Sequence, residues 1–245
     1  MTGFAGRHAL IVGGSSGMGR GAARAFAARG GDVTVTTRSA DRLDAAIAAV
    51  ADGLEPAGGS TSVGAVHGVV ADLGDPDTLN AAVAIPERLD HLVVTAAPGR
   101  GVTDREFFDG KFWGTQTAAA AAAERLPDDG TMLFASGGLA VRPTAGQWSV
   151  SASFAAVEAL ARALAVEHAP MRVNCIRPGL FATATWASMP DDERERFFAE
   201  RSGVLPAGRP ASGEDFGDAF VGILAMRYLT GQVVVLDGGQ ALLDG

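Results

Sequence analysis

The first chemistry legible in this chain belongs to glycine, serine and arginine. The run Val12-Gly13-Gly14-Ser15-Ser16-Gly17-Met18-Gly19 follows a short apolar segment and opens an Ala/Arg stretch at helical spacing. Residues without a Cβ let a chain turn tightly and approach a pyrophosphate, and the unpaired N–H groups and dipole of a helix N-terminus favour its negative charge. Gly13, Ser15, Ser16, Gly17, Met18 and Gly19 are therefore expected to cradle a nucleotide. The next apolar run closes on Thr37-Arg38-Ser39, where an acidic residue would bind the ribose 2′-hydroxyl of NAD. The guanidinium of Arg38, with Ser39 beside it, instead suits a 2′-phosphate. NADP(H) is the expected cofactor. A solvated surface arginine is the plain alternative in a chain whose twenty basic residues include nineteen arginines.

These residues need a scaffold, and the hydrophobic pattern supplies one. Short β-branched runs alternate with longer Ala-rich stretches, the mark of βαβ units and a parallel sheet. Strands are expected near His8–Val12, Val33–Thr37, Ala65–Val70, His91–Thr95, Thr131–Ala135, Arg172–Ile176 and Gln232–Leu236. Helices are expected near Gly17–Arg29, Asp41–Ala51, Asp77–Val83, Asp104–Arg125, Ser151–His168, Asp191–Arg201 and Gly213–Met226. The first six strands lean on Val, Ile and Leu, as in strands buried on both faces. The fold class is α/β: a doubly wound, seven-stranded parallel sheet in one domain over residues 1–245. No internal repeat appears, and the alanine run Ala118–Ala123 reads as close packing between helices.

Composition removes several alternatives. The 245 residues hold 28 acidic and 20 basic side chains, a formal net charge of -8, which disfavours nucleic-acid binding. Hydrophobic residues at 47% and charged residues at 20% fit an ordinary globular chain and argue against disorder. Cys175, the only cysteine, can form no intrachain disulfide and no thiolate metal site. His8, His67, His91 and His168 lack ligand spacing, so no metal is expected. No basic region precedes a signal-like core at Met1–Arg7, and no uninterrupted apolar stretch reaches the roughly 18–20 residues of a spanning helix. A cytoplasmic location without membrane contact is expected.

Over essentially its whole length the chain resembles the short-chain dehydrogenase/reductase family. Gly13, Gly17 and Gly19 match that family's three-glycine spacing, and Asp72-Leu73 looks like its adenine-binding pair. Arg172-Val173-Asn174 and Arg177-Pro178-Gly179 match the sixth strand and the turn under the nicotinamide. Thr183 falls at the threonine that contacts carboxamide and phosphate. Thr230-Gly231-Gln232 and Asp237-Gly238-Gly239 match the closing strand and its loop. The resemblance also implies that Ala96, Pro178, Gly179 and Phe181 lie along the cofactor and the opening of the substrate pocket, with Leu180–Pro210 as a lid. It implies self-association as a dimer or tetramer through the helices Asp104–Arg125 and Ser151–His168 and the closing strand. Trp148, Trp186 and Phe181 fall where the pocket opens, with aromatic core packing as the alternative, and Arg142, in the loop after Ser136, is a candidate for binding an anionic substrate or a solvated surface residue.

The resemblance fails where that family does its proton chemistry. Its set is a Ser, a Tyr, a Lys four residues later and an Asn on the preceding helix. Ser136 matches the serine, but in Trp148-Ser149-Val150-Ser151-Ala152-Ser153-Phe154 the tyrosine position holds Val150 and the lysine position Phe154. No shift of register restores them, because the only tyrosine is Tyr228 and the only lysine Lys111. That lysine occupies the asparagine position, and the family's Asn-Asn-Ala-Gly reads Val94-Thr95-Ala96-Ala97 here. An ammonium can lose its proton near neutral pH when desolvated, whereas a guanidinium cannot. Lys111 is therefore expected to place its charge near the missing lysine's, to hold the ribose, and to donate a proton directly, through Ser136 or through water. The expected function is reduction of a carbonyl or imine of a small organic substrate. A nucleotide-binding pseudoenzyme and a non-redox isomerase, lyase or cyclase are the alternatives.

Overall fold

The structure, a computed structural model, describes residues 3–99, 101–183 and 186–243. Its centre is a seven-stranded, all-parallel sheet in the order β3-β2-β1-β4-β5-β6-β7. The strands are β1 His8–Val12, β2 Asp32–Thr37, β3 Val66–Val70, β4 His91–Val94, β5 Thr131–Ala135, β6 Arg172–Pro178 and β7 Val233–Leu236. Between them run α1 Gly17–Ala27, α2 Leu43–Ala51, α3 Pro76–Ala84, α4 Asp104–Phe108, α5 Gly114–Ala123, α6 Trp148–Glu167, α7 Asp191–Val204 and α8 Gly213–Ala225. This is the expected doubly wound fold, with boundaries moved by local chemistry. Pro76 can start α3 because its missing N–H is an orphan at a helix start, and Asp75 caps the next two N–H groups.

Helices cover both faces. Phe26, Val50, Phe216 and Phe220 pack α1, α2 and α8 on one side, whereas Leu79, Ala118, Val157 and Leu164 pack α3, α5 and α6 on the other. The inner residues Ala118, Ala119 and Ala122 of the alanine run are fully buried, as close helix packing requires. One expectation is corrected. β3 is not buried on both faces; it is an edge strand flanked only by β2, and none of its residues is fully buried. α6 is long and apolar enough by length and composition to cross a membrane. Glu158 and Arg162 interrupt it, however, and its inner residues Val157, Ala161 and Leu164 belong to the core.

Two features position the site. Strand order reverses between β1 and β4, and in open parallel sheets the crevice at such a reversal, beyond the carboxyl ends of the strands, receives ligands. The expected helix Asp104–Arg125 exists as α4 and α5 joined by a π-helical turn, Asp109–Trp113. Such turns insert an extra residue and re-aim side chains. Lys111 sits in this one, buried.

Candidate active site

The carboxyl ends of the strands open into a cleft of about 2100 Å³, running from Arg38 and Arg42 to Trp186 and Phe197. At its near end β1 leads through Gly13, at φ +90°, into α1. A Cβ on Gly19 would stand 2.2 Å from the Gly13 carbonyl oxygen, and one on Gly13 2.7 Å from the Ala96 nitrogen. The turn therefore closes only with glycine at both places. The Gly13 N–H donates to Thr36 Oγ1 (3.0 Å) and the Ala96 N–H to the Val12 carbonyl (3.1 Å), fixing the loops after β1 and β4 to each other.

The start of α1 carries no side-chain cap, as do those of α2, α5, α6 and α7, but it alone follows the glycine turn after β1. Asp75, Thr103 and Ser212 cap α3, α4 and α8 with side-chain oxygens, whereas Ser16 adopts an extended conformation, gives α1 no side-chain cap, and no carboxylate lies in the first turn. Bare N–H groups with an uncompensated dipole make an anion site. Ser15, Ser16, Gly17 and Met18 line it, and the Thr183 methyl would lie 3.1 Å from a Cβ on Gly17. Arg38 is exposed at the tip of β2, its Nη1 3.5 Å from where a Gly99 Cβ would be, with no carboxylate bridged to it among the described residues. Ser39 turns its hydroxyl to Asp41 (2.7 Å). Asp72 takes the Gly74 N–H on one carboxylate oxygen (2.8 Å), with Leu73 buried behind it. Arg42 also lines this end, a residue that sequence reading passed over as one arginine among nineteen.

The far end is built differently. Lys111 is 1% exposed, yet lines the cleft. Its ammonium donates to the Ala96 carbonyl (2.8 Å) and lies 6.0 Å from the centre of the Phe154 ring. No carboxylate bridges it among the described residues, and burial lowers its pKa to about 8. Phe154 meets Phe107 edge-on (6.2 Å). Its ring also fills the space beside Gly137, where a Cβ would come within 2.4 Å of a ring carbon. A glycine at 137 therefore leaves room for the Phe154 ring. Val150 completes an apolar wall in the same cleft.

Ser136 lines the cleft and has a carboxylate beside it. It is buried, and its hydroxyl donates to Glu158 Oε1 (2.8 Å). A carboxylate only accepts, so the Ser136 hydroxyl is the donor in this pair. Arg177 binds the same carboxylate with Nε (2.7 Å) and Nη2 (2.6 Å). The Ser136 N–H completes the brace on the Ile176 carbonyl (2.9 Å). Glu158 therefore ties the ends of β5 and β6 together beneath the cleft. Sequence reading missed it, since one glutamate on an apolar helix carries no signal until its partners are known. Cys175 is buried nearby, its thiol pushed up to about 11 by burial.

The family model described as "Enoyl-(Acyl carrier protein) reductase" matches residues 12–241. The chain belongs to the short-chain dehydrogenase/reductase family. It is 32% identical to Oxidoreductase UcpA of Salmonella typhimurium over 97% of this chain and 95% of that one. Among solved structures, the MalC Reductase/Diels-Alderase of Malbranchea aurantiaca superposes with a TM-score of 0.87 at 24% identity, covering 98% of both chains. A small-chain dehydrogenase in complex with NADPH superposes with a TM-score of 0.74 at 26% identity, covering 96% of this chain and 99% of that one.

The family binds a nicotinamide cofactor, and the cleft of this chain brings most of the residues singled out from sequence together. Gly13, Ser15, Ser16, Gly17, Met18, Gly19, Arg38, Ser39, Asp72, Leu73 and Ala96 line one continuous wall, and Pro178, Gly179, Phe181 and Thr183 stand across from it. Phe181 is mostly core: it is 5% exposed and meets Phe216 edge-on. Trp186 caps the far end through its Nε1 bond to the Phe181 carbonyl (3.0 Å) and its tilted contact with Phe197 (4.9 Å). Residues 184 and 185 of the expected lid lie outside the described residues. Trp148 does not line the cleft and is exposed. Arg142 lines it while donating to the Ala241 carbonyl (2.6 Å).

Proposed function

We propose that this short-chain oxidoreductase uses NADP(H) to reduce a carbonyl or imine carbon of a small organic substrate, and that Lys111 supplies the charge its relatives draw from a tyrosine and a lysine. The observation that carries this reading is the placement of Lys111. The only lysine in the chain is buried in a π-turn, held by the Ala96 carbonyl at the wall of the cleft, with no carboxylate beside it among the described residues.

The residues present fit the nucleotide. The uncapped start of α1 suits the pyrophosphate, Asp72 and Leu73 the adenine, and Arg38 with Arg42 a 2′-phosphate, because two guanidiniums offer planar donors and permanent charge. When bound, the dihydronicotinamide supplies a hydride. Ala96, Pro178 and Gly179 provide a backbone surface for its ring, and Thr183 sits against the start of α1. The Lys111 ammonium stabilises negative charge as it develops on the acceptor and can pass a proton to it directly or through water. Val150, Phe154 and Phe107 exclude water and so strengthen that interaction. Ser136 acts through the Glu158 brace, which holds the ends of β5 and β6 in place.

Incubation with 4-deuterated NADPH tests the reading: deuterium should appear on carbon in the product, and Lys111→Met should slow the transfer about 100- to 10,000-fold, the range of acid–base catalysis. A conversion that leaves the nucleotide unchanged would select a non-redox enzyme. Nucleotide binding without any conversion would select a pseudoenzyme. The same reading includes a cytoplasmic setting and self-association through the α4–α5 segment, α6 and β7, where Trp113 of the π-turn and Val166 of α6 stand exposed. Light scattering on the purified protein tests the latter.

A further inference from the structure

The arginines of α7, beside the far end of the cleft, do not share one environment. Arg194 is bridged to Asp191 (2.5 Å) and Arg196 to Asp192 (3.6 Å), the i,i+3 and i,i+4 pairs of an exposed helix. Arg201 has Phe197, Phe198, Val204 and Leu205 at those same spacings, so its own helix offers it no carboxylate. Its guanidinium carbon stands instead 5.5 Å from the centre of the Phe197 ring. Phe197 in turn packs on Trp186 (4.9 Å), and the Trp186 indole N–H is fixed to the carbonyl of the buried Phe181 (3.0 Å). Arg201, Phe197 and Trp186 all line the cleft.

An arginine held against an aromatic ring keeps its N–H donors available to a carboxylate, which accepts two of them side by side. Holding the guanidinium in place beforehand removes part of the ordering cost of binding. Among the described residues no side chain or carbonyl takes a hydrogen bond from Arg201 and no carboxylate is bridged to it. The carboxylates that line this end are already engaged. Asp104 accepts from Ser149, Glu106 from the Thr103 N–H and hydroxyl, and Asp237 from the N–H groups of Gly239 and Ala241. The Arg201 guanidinium is left for an anion that arrives with the substrate.

We propose that Arg201 is the binding site for a carboxylate carried by the substrate, which is accordingly an oxo acid whose carbonyl is reduced beside Lys111. The inference rests on the NADP(H)-dependent carbonyl reduction proposed above and names its substrate class. The two cations have separate tasks. A buried ammonium whose pKa is lowered to about 8 can give up a proton, whereas a guanidinium holds its charge without exchanging it. Hydride adds to the carbonyl carbon, the carbonyl π pair moves to oxygen, and that oxygen takes a proton from Lys111, which recovers one from water. The carbonyl gains the two electrons that the dihydronicotinamide loses, and the carboxylate is unchanged.

The test compares ω-oxo acids of increasing chain length with their methyl esters, which keep the aldehyde and lose the charge. At the best length the wild type should favour the acid by at least about tenfold in kcat/KM, the worth of a charged hydrogen bond, with the difference carried by KM. Raising the ionic strength should narrow it. Arg201→Gln should bring the ratio of acid to ester near one, and Arg201→Lys should restore part of it without the paired donors. Phe197→Ala, which removes the ring beneath the guanidinium, should lower the ratio although the charge remains. Equal use of acid and ester by the wild type, or a preference that survives in Arg201→Gln, overturns the proposal. Calorimetric titration with the corresponding hydroxy acid and its ester, with and without saturating NADP+, reads the same site without turnover. Reduction of the esters with no gain for the acids overturns the proposal and leaves hydride transfer intact. Binding of the acids that depends on Arg201, without their reduction, keeps the carboxylate site and defeats the hydride reading.

Discussion

The two ends of the cleft are held by opposite means. At the nucleotide end the backbone does the work: glycines closing a turn, a helix start left uncapped, and guanidiniums at a strand tip. At the far end side chains do it: a buried ammonium, a phenyl ring filling the space over a glycine, and a carboxylate clamped between Ser136 and Arg177. Backbone sites tolerate change in the surrounding side chains, because N–H groups are present whatever the sequence. A site built of side chains can be rebuilt residue by residue. One half can therefore keep its ligand while the other exchanges its chemistry.

The largest expected effect sharpens that contrast by separating stability from activity. Lys111 stays charged at neutral pH although buried, with its pKa lowered to about 8 from 10.5. Between pH 8 and 10.5 the unfolded chain binds the extra proton, so this group's contribution to stability rises with pH across that window; below pH 8 its cost is felt in full. Lys111→Met should then stabilise the fold at pH 7 by about 2–4 kcal/mol, with the gain fading toward pH 10.5, while hydride transfer falls by the factor given above. Thermal unfolding at pH 7 and 10 together with single-turnover rates checks this. A lysine retained only for structure would lower both together.

Next in size is the brace. Glu158→Ala leaves Arg177 half-buried without its carboxylate and Ser136 without an acceptor, and should cost about 3–5 kcal/mol. Ser136→Ala removes one hydrogen bond from the same cluster, so chemical denaturation should report only about 1–2 kcal/mol. Its rate should fall less than about tenfold, below the loss of 100-fold or more that removing an oxyanion donor produces. A larger loss would return Ser136 to the reacting centre.

At the other end Arg38→Ala should weaken NADPH by about 1.5–3 kcal/mol, the worth of charged hydrogen bonds, and leave NADH unchanged. Equal loss for both nucleotides would remove the 2′-phosphate from the account. A further effect lies outside the cleft and leaves the chemistry untouched. Burial lowers His91 to about 4 against 6.5 for the free side chain. The unfolded chain binds the extra proton between those values, so stability is lost as pH falls from 6.5 toward 4, by up to about 3 kcal/mol. His91→Gln should flatten that part of the unfolding profile.

How much of this could be read beforehand follows the same division. The glycine turn, the seven strands and the order of the landmarks were legible because backbone demands leave local marks: glycine where a Cβ would strike a carbonyl, β-branched runs where strands are buried. The far end was legible only in what is missing, Val150 and Phe154, and in the solitary lysine. That Lys111 turns inward depends on a π-turn inside what reads as one continuous helix. That Ser136 faces Glu158 depends on a residue 22 positions away on another element. The match of Gly137 to the Phe154 ring depends likewise on a distant residue. Long-range pairs such as these leave no periodic trace in a single chain.

The account stands or falls on a nucleotide end kept intact for NADP(H), and calorimetric titration of the purified protein with NADPH and with NADH measures that directly. Binding of NADPH at about 1–100 μM, or about -8.2 to -5.5 kcal/mol, with NADH much weaker, is the predicted result. No heat of binding at millimolar concentrations of either nucleotide would contradict it.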